Sequence, residues 1–201
     1  MDRIGVFGGT FNPPHLGHLK LVSETADRLE LDRVIIIPAF LPPHKEAKLL
    51  ACGEDRLEMC RLTFGEDSRF QVSAMEIERG GKSYTYDTLC ELRMYFPHSE
   101  LFLIIGSDML LTFEKWHRYE DILNRCTVCA AERDSEQNPI KKHGLPKIFE
   151  GHNLILTEFS PVNISSSKIR QMIRSSQDIG GVVTQEVKRY IDDRKLYLEG
   201  L

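Results

Sequence analysis

The sequence predicts an α/β fold, an open and mostly parallel sheet with helices on both faces. Three observations carry that expectation. Apolar runs at 3–7, 34–37 and 101–105 are short and nearly continuous, the pattern of strands buried on both sides in a parallel sheet. Between the first two, Leu19, Val22, Ala26 and Leu29 recur at spacings of three and four, one face of an amphipathic helix. Strand-like and helix-like stretches then alternate along the chain, as right-handed βαβ units require.

The first strand, 3–7, runs into Gly8 and Gly9, where glycine lets the backbone turn sharply and approach a ligand closely. Pro13 and Pro14 are tolerated only at a helix's first turn, so the next helix is expected from about Pro14 or His15. The β-branched run 34–37 closes at Pro38, and the loop that follows, 38–53, leaves the carboxyl end of a strand, the edge where open α/β sheets bind ligands. A helix over 54–64 precedes FQVSAMEI at 70–77, whose period of two predicts a strand. A helix over 86–95 should stop before Pro97. Strands at 101–105, 126–131 and 154–156 complete the set, with 133–147 expected as a polar surface connection holding a short helix.

With 201 residues and 41% hydrophobic content, a single domain over 1–201 can bury a sizeable core. A net charge of −4 gives no global basic footprint, so no nucleic-acid partner is expected and any anion site must be local. Five scattered cysteines do not form a disulfide framework and fit a reducing, cytoplasmic setting. The start lacks a signal-peptide pattern, and no apolar run is long enough to span a bilayer, so no membrane partner is expected. Cys126 and Cys129 form C-x-x-C, but on a strand they face opposite ways, which favours packing over redox or zinc chemistry.

Two constellations carry the chemistry. In GGTFNPPHLGH, residues 8–18, His15 and His18 share the stripe of Leu19, Val22 and Ala26 and so face the sheet. They sit at a helix N-terminus, where N–H groups and the macrodipole favour an anion, and Gly17 makes room for something bulky. Phosphate binding, metal ligation, proton transfer and plain packing all remain open for an isolated pair, although no third zinc ligand lies at a recognisable spacing. No G-x-G-x-x-G or Walker A pattern occurs. In ISSSKIR, 164–170, serines lead into a helix as N-cap candidates. Lys168 and Arg170 place cations in the first turn against the dipole, which points to a compensating anion; an exposed basic helix start is the alternative.

Together with PPHK at 42–45, KSYTYDT at 82–88, GSDMLLTFEKWHRYEDI at 106–122 and the ending VKRYIDDRKLY, these motifs resemble the nucleotidylyltransferase superfamily. More closely, the chain is similar to the bacterial nicotinate-nucleotide adenylyltransferase family. The resemblance implies a Rossmann-like nucleotidylyltransferase fold whose C-terminal helical part, about 160–201, completes the ATP phosphate site. It implies adenylyl transfer from ATP to nicotinic acid mononucleotide in NAD biosynthesis, with magnesium carried by ATP and no protein metal ligands. By the same similarity, His18, His15 and Arg170 are the catalytic candidates. Gly8, Gly9, Thr10, Phe11, Gly106, Asp108, Ser165, Ser166 and Lys168 join them as the ATP site, and His44, Lys45, Thr85 and Trp116 are the mononucleotide candidates. Asn12 stands where the family more often has Asp. Self-association is expected only at the base rate of soluble enzymes. The competing readings are another adenylyltransferase of this fold, of the pantetheine-phosphate or nicotinamide-mononucleotide type, and a catalytically silent nucleotide-binding module.

Overall fold

In the computed structural model the described residues are 1–42, 50–133, 144–159 and 164–198. Six strands form one sheet: β1 (Arg3–Gly9), β2 (Arg33–Pro38), β3 (Phe70–Val72), β4 (Glu100–Gly106), β5 (Thr127–Arg133) and β6 (Leu154–Phe159). Their order is β3-β2-β1-β4-β5-β6, and every pairing is parallel. The strand order reverses beside β1, so β1 and β4, in register at Val6 and Leu103, flank the switch point where a crevice opens at the carboxyl ends.

The helices are α1 (Leu16–Arg28), α2 (Gly53–Phe64), α3 (Met75–Arg79), α4 (Thr85–Tyr95), α5 (Tyr119–Leu123), α6 (Ser166–Arg174) and α7 (Gln185–Arg194), with a 3-10 helix over Ser107–Lys115. On one face of the sheet Val6, Ile37, Leu103 and Val128 pack with Leu89 of α4, Phe113 of the 3-10 helix and Ile122 of α5. On the other, Phe7, Ile36 and Ile104 meet Val22 and Ala26 of α1 and Phe64 of α2. Ile169 of α6 and Val187 and Ile191 of α7 bury against Met59 of α2, so the C-terminal helices hang on α2, beside the carboxyl edge.

One expected strand is mostly helix. Pairing with β2 ends at Val72, and the alternation over 70–77 continues as α3, with Met75 and Glu76 turned inward. Without a further partner strand, period-two patterning does not hold a ladder. Cys126 and Cys129 are buried on opposite sides of the sheet, and burial pushes both thiols up to about 12, as packing residues require. No helix among the described residues is long and apolar enough to cross a membrane.

Candidate active site

A cavity of about 560 Å³ opens at the switch point, walled by Phe7 to Gly9 of β1 and Thr10 just after it, Ile104 to Gly106 from β4, and His18 of α1. Its far side is formed by Ser83, Tyr84 and Thr85 at the start of α4, with Lys115, Trp116 and His117 at the end of the 3-10 helix. A volume of this size suits a nucleotide-sized ligand. Of the expected residues, Gly8, Gly9, Thr10, His18, Gly106, Thr85 and Trp116 line it.

The turn after β1 works differently from expectation. The left-handed residue is Phe11, at φ 48°, and neither Gly8 nor Gly9 has positive φ. A Cβ on Gly9 would lie 2.8 Å from the Phe11 ring, so Gly9 is there to admit that ring, whereas a Cβ on Gly8 would meet nothing within 4 Å. Phe11 is buried and packs edge-on to Phe7, Phe64 and His18, forming the floor behind the cleft. A bulky residue held in this strained region marks a site that the surroundings over-determine.

His15 is the N-cap of α1 and His18 its third residue. His15 Nδ1 accepts from His18 N–H at 3.3 Å, and His18 Nδ1 accepts from His15 N–H at 3.2 Å. The rings stack with centroids 3.6 Å apart. Because each Nδ1 accepts, each neutral ring carries its proton on Nε2. His15 is buried, and burial pushes its pKa down to about 4, so it is neutral at pH 7. It does not line the cleft; it lies against His18, which does. Gly17 makes room not for a ligand but for His15, whose Nδ1 would lie 3.0 Å from a Cβ there. Nor are all the first N–H groups of α1 open: that of Leu16 donates to Val182 O and that of His18 to His15.

ISSSKIR meets the turn directly. Ser166 Oγ donates to Pro13 O at 2.8 Å, and Arg170 Nη1 donates to Asn12 O at 2.7 Å, joining segments 153 and 158 residues apart. Ser165 caps α6, its Oγ accepting from Lys168 N–H, and the Lys168 side chain is exposed. These residues stand beside the cleft rather than in its lining. Asp108 is exposed at the start of the 3-10 helix, its carboxylate folded back over Gly106. His44 and Lys45 lie outside the described residues. Trp116 follows the 3-10 helix in extended geometry, stacked on Phe113 at 4.9 Å, with one face left for the cleft.

Two residues escaped the sequence analysis. Arg56, 1% exposed, donates to the carbonyls of Thr10, Ala39, Phe40 and Ala51, binding the β1 turn to the end of β2. Tyr197, beyond α7, donates to Asn12 Oδ1 at 2.9 Å. Arg56 looks like any helical arginine, and only the VKRYIDDRKLY motif hinted at Tyr197.

Sheet order, switch-point cleft and histidine-capped helix define a nucleotide-binding α/β domain of the nucleotidyltransferase kind. The chain matches the family described as cytidylyltransferase-like over residues 6–172. It is 37% identical over 199 residues to a Geobacillus kaustophilus protein named "Probable nicotinate-nucleotide adenylyltransferase", covering 98% of this chain and 87% of that one. A Geobacter metallireducens protein of the same name is 39% identical over 211 residues, covering 97% and 98%. The Plasmodium falciparum nicotinic acid mononucleotide adenylyltransferase, solved with NaAD, shares the fold at a TM-score of 0.78 and 18% identity, covering 98% of each chain. The chain therefore belongs to the cytidylyltransferase-like family and, within it, to the nicotinate-nucleotide adenylyltransferases.

Proposed function

We propose that the protein joins the adenylyl group of ATP to nicotinic acid mononucleotide, releasing pyrophosphate and forming nicotinic acid adenine dinucleotide for NAD biosynthesis. Family membership gives the reaction, and the observation that carries the site is the meeting of the His18 helix start with ISSSKIR at the rim of one nucleotide-sized cleft. The mononucleotide phosphate is already an anion. One of its oxygens bonds to the α-phosphorus as the bond to the β-phosphate oxygen breaks, and pyrophosphate leaves with that electron pair. No general base or covalent intermediate is needed, so rate comes from alignment and charge stabilisation.

His18 Nε2–H is the donor for charge that develops at the α-phosphate; the His15 imidazole holds its ring by stacking, and the His15 backbone N–H sets its tautomer. Thr10 and the glycine edge receive ATP, while Ser165, Ser166, Lys168 and Arg170 face the departing pyrophosphate. Thr85 and Trp116 take the pyridine nucleotide. Among the described residues no three His, Cys, Asp or Glu side chains converge on one point, and magnesium enters this scheme as part of its substrate, metal-bound ATP.

The discriminating test is pyrophosphate release with ATP and magnesium, comparing nicotinic acid mononucleotide, nicotinamide mononucleotide and phosphopantetheine as acceptors. The acid should be used best. Equal use of acid and amide overturns the acceptor assignment, and turnover only with phosphopantetheine moves the protein to the runner-up reaction.

A further inference from the structure

We propose that the polyphosphate of ATP supplies the counter-charge missing from a cationic knot beneath the β1 turn, in which one guanidinium is buried and the other half-buried, and that Asn12 is the position that sets this dependence. The inference deepens the adenylyl-transfer assignment and rests on it for the identity of the polyphosphate.

Two guanidinium groups flank Asn12. Arg56 is 1% exposed and its donors end on backbone carbonyls, at 2.9 Å to Ala51 O, 3.0 Å to Thr10 O and 3.1 Å to Phe40 O, with Ala39 O also bound. Carbonyls satisfy hydrogen bonds but carry no net charge. Arg170 spends Nη1 on Asn12 O and Nη2 on Ser167 Oγ, while its buried Nε has no partner among the described residues. Among the described residues neither guanidinium forms a salt bridge, and the Glu54 carboxylate reaches Arg56 only as a longer-range field.

Asn12 is bonded into both halves of this arrangement. Its Oδ1 accepts from Ala51 N–H at 3.0 Å and from Tyr197 Oη at 2.9 Å, and Ala51 in turn accepts from Arg56. The Asn12 carbonyl accepts directly from Arg170. The buried Tyr197 phenol lies in the field of both cations. Two positive charges therefore surround a 5% exposed side chain that is neutral, where a carboxylate of the same shape would compensate them.

A buried charge without a partner is costly, and a local rule broken in this way belongs at functional sites. Thr10, whose carbonyl takes Arg56, lines the cleft, and Arg170 stands where α6 meets the turn. A di- or triphosphate at this rim meets Arg170 directly. It feels Arg56 through one peptide unit, in a setting where charges are poorly screened. The ligand-free protein carries the unfavourable charge, and an anion with several charges relieves it. That raises the preference for polyphosphate over monophosphate.

Asn12→Asp tests this, because it preserves size and both acceptor roles of Oδ1 while exchanging the Nδ2 donor for the second oxygen of a carboxylate; Asn12→Leu, which removes the same donor without adding charge, is the control. Ligand-free Asn12→Asp should melt above the wild type and bind inorganic pyrophosphate, measured by calorimetry without metal, at least about ten-fold more weakly. Its affinity for nicotinic acid mononucleotide should stay within about two-fold. An Asn12→Asp protein that fails to fold, melts below the wild type or binds pyrophosphate as tightly overturns the proposal, as does a wild type that binds no pyrophosphate. Wild-type pyrophosphate binding without adenylyl transfer would instead remove the reaction assignment and leave the charge-balance proposal standing.

Discussion

Replacing His15 separates a phosphate contact from a residue that works through His18. His15→Ala deletes the Nδ1 acceptor that caps α1, worth about 1 kcal/mol, and the stacked ring 3.6 Å from His18, worth about 0.5–1.5 kcal/mol. His18 N–H keeps its 2.8 Å bond to His15 O, so the cap loss falls at the low end. A total near 2 kcal/mol lowers Tm by roughly 4–8 °C in a chain of this length. Freed from its partner, the His18 donor leaves the reacting oxygen for part of the time, and kcat should fall about 10- to 100-fold, with KM for ATP changed less than about three-fold. His15→Asn, which can still cap α1, should recover most of the stability and little of kcat. NMR of the His18 ring supplies the signature: Nε2–H in both proteins, because the backbone N–H of residue 15 still donates to Nδ1, but with increased ring motion in His15→Ala, where the stacked imidazole is gone. Wild-type kcat in His15→Ala, or a large rise in KM alone, would refute positioning.

The same residue makes stability depend on pH. In the unfolded chain His15 takes a proton near its ordinary pKa of about 6.5, but in the folded protein only near about 4. Below about 6.5 the unfolded state binds more protons, so stability is lost as pH falls through that window, by roughly 3 kcal/mol in full. His15→Asn should flatten this part of the Tm–pH curve, and an unchanged slope would contradict a buried neutral imidazole. Gly8→Val should leave stability within about 0.5 kcal/mol, because a Cβ there meets nothing, yet raise KM for ATP at least ten-fold by filling the cleft; a normal KM would place ATP elsewhere. Arg56→Met leaves its buried carbonyl partners without their donor and should cost about 3–5 kcal/mol in denaturant unfolding, against less than about 1 if the guanidinium is incidental. Trp116→Ala should weaken the mononucleotide by about 1–3 kcal/mol through lost stacking while KM for ATP holds within about two-fold, and equal effects on both substrates would contradict the division of the cleft.

What the sequence made legible follows from strength of pattern. Continuous apolar runs ending in Gly9, Pro38 and Gly106 mark strands whose carboxyl ends gather at one edge, and the α1 stripe fixes which face meets the sheet. Histidine phase foretold that His15 and His18 turn inward, but not that one lies beneath the other. That depends on Gly17 giving its space to the imidazole and on a reciprocal cap, a detail of a single helical turn. The positive φ at Phe11 was hidden because two adjacent glycines seemed to explain the turn. Arg56 and Tyr197 were opaque for another reason: their roles come from contacts spanning 46 and 185 residues, which no local pattern records. The 70–77 stretch misled because alternation describes a half-buried surface, and only a neighbouring strand turns it into a ladder.

The central claim is tested most directly by following the α-phosphorus. The protein would be given α-labelled ATP, magnesium and nicotinic acid mononucleotide, with products separated and weighed by mass spectrometry. Direct attack predicts that the label appears in nicotinic acid adenine dinucleotide one-to-one with pyrophosphate, that none is held on protein before acceptor is added, and that His18→Ala slows the conversion by about 10²-fold or more. Label accumulating as AMP or on the protein, or no dinucleotide at all, would contradict the claim.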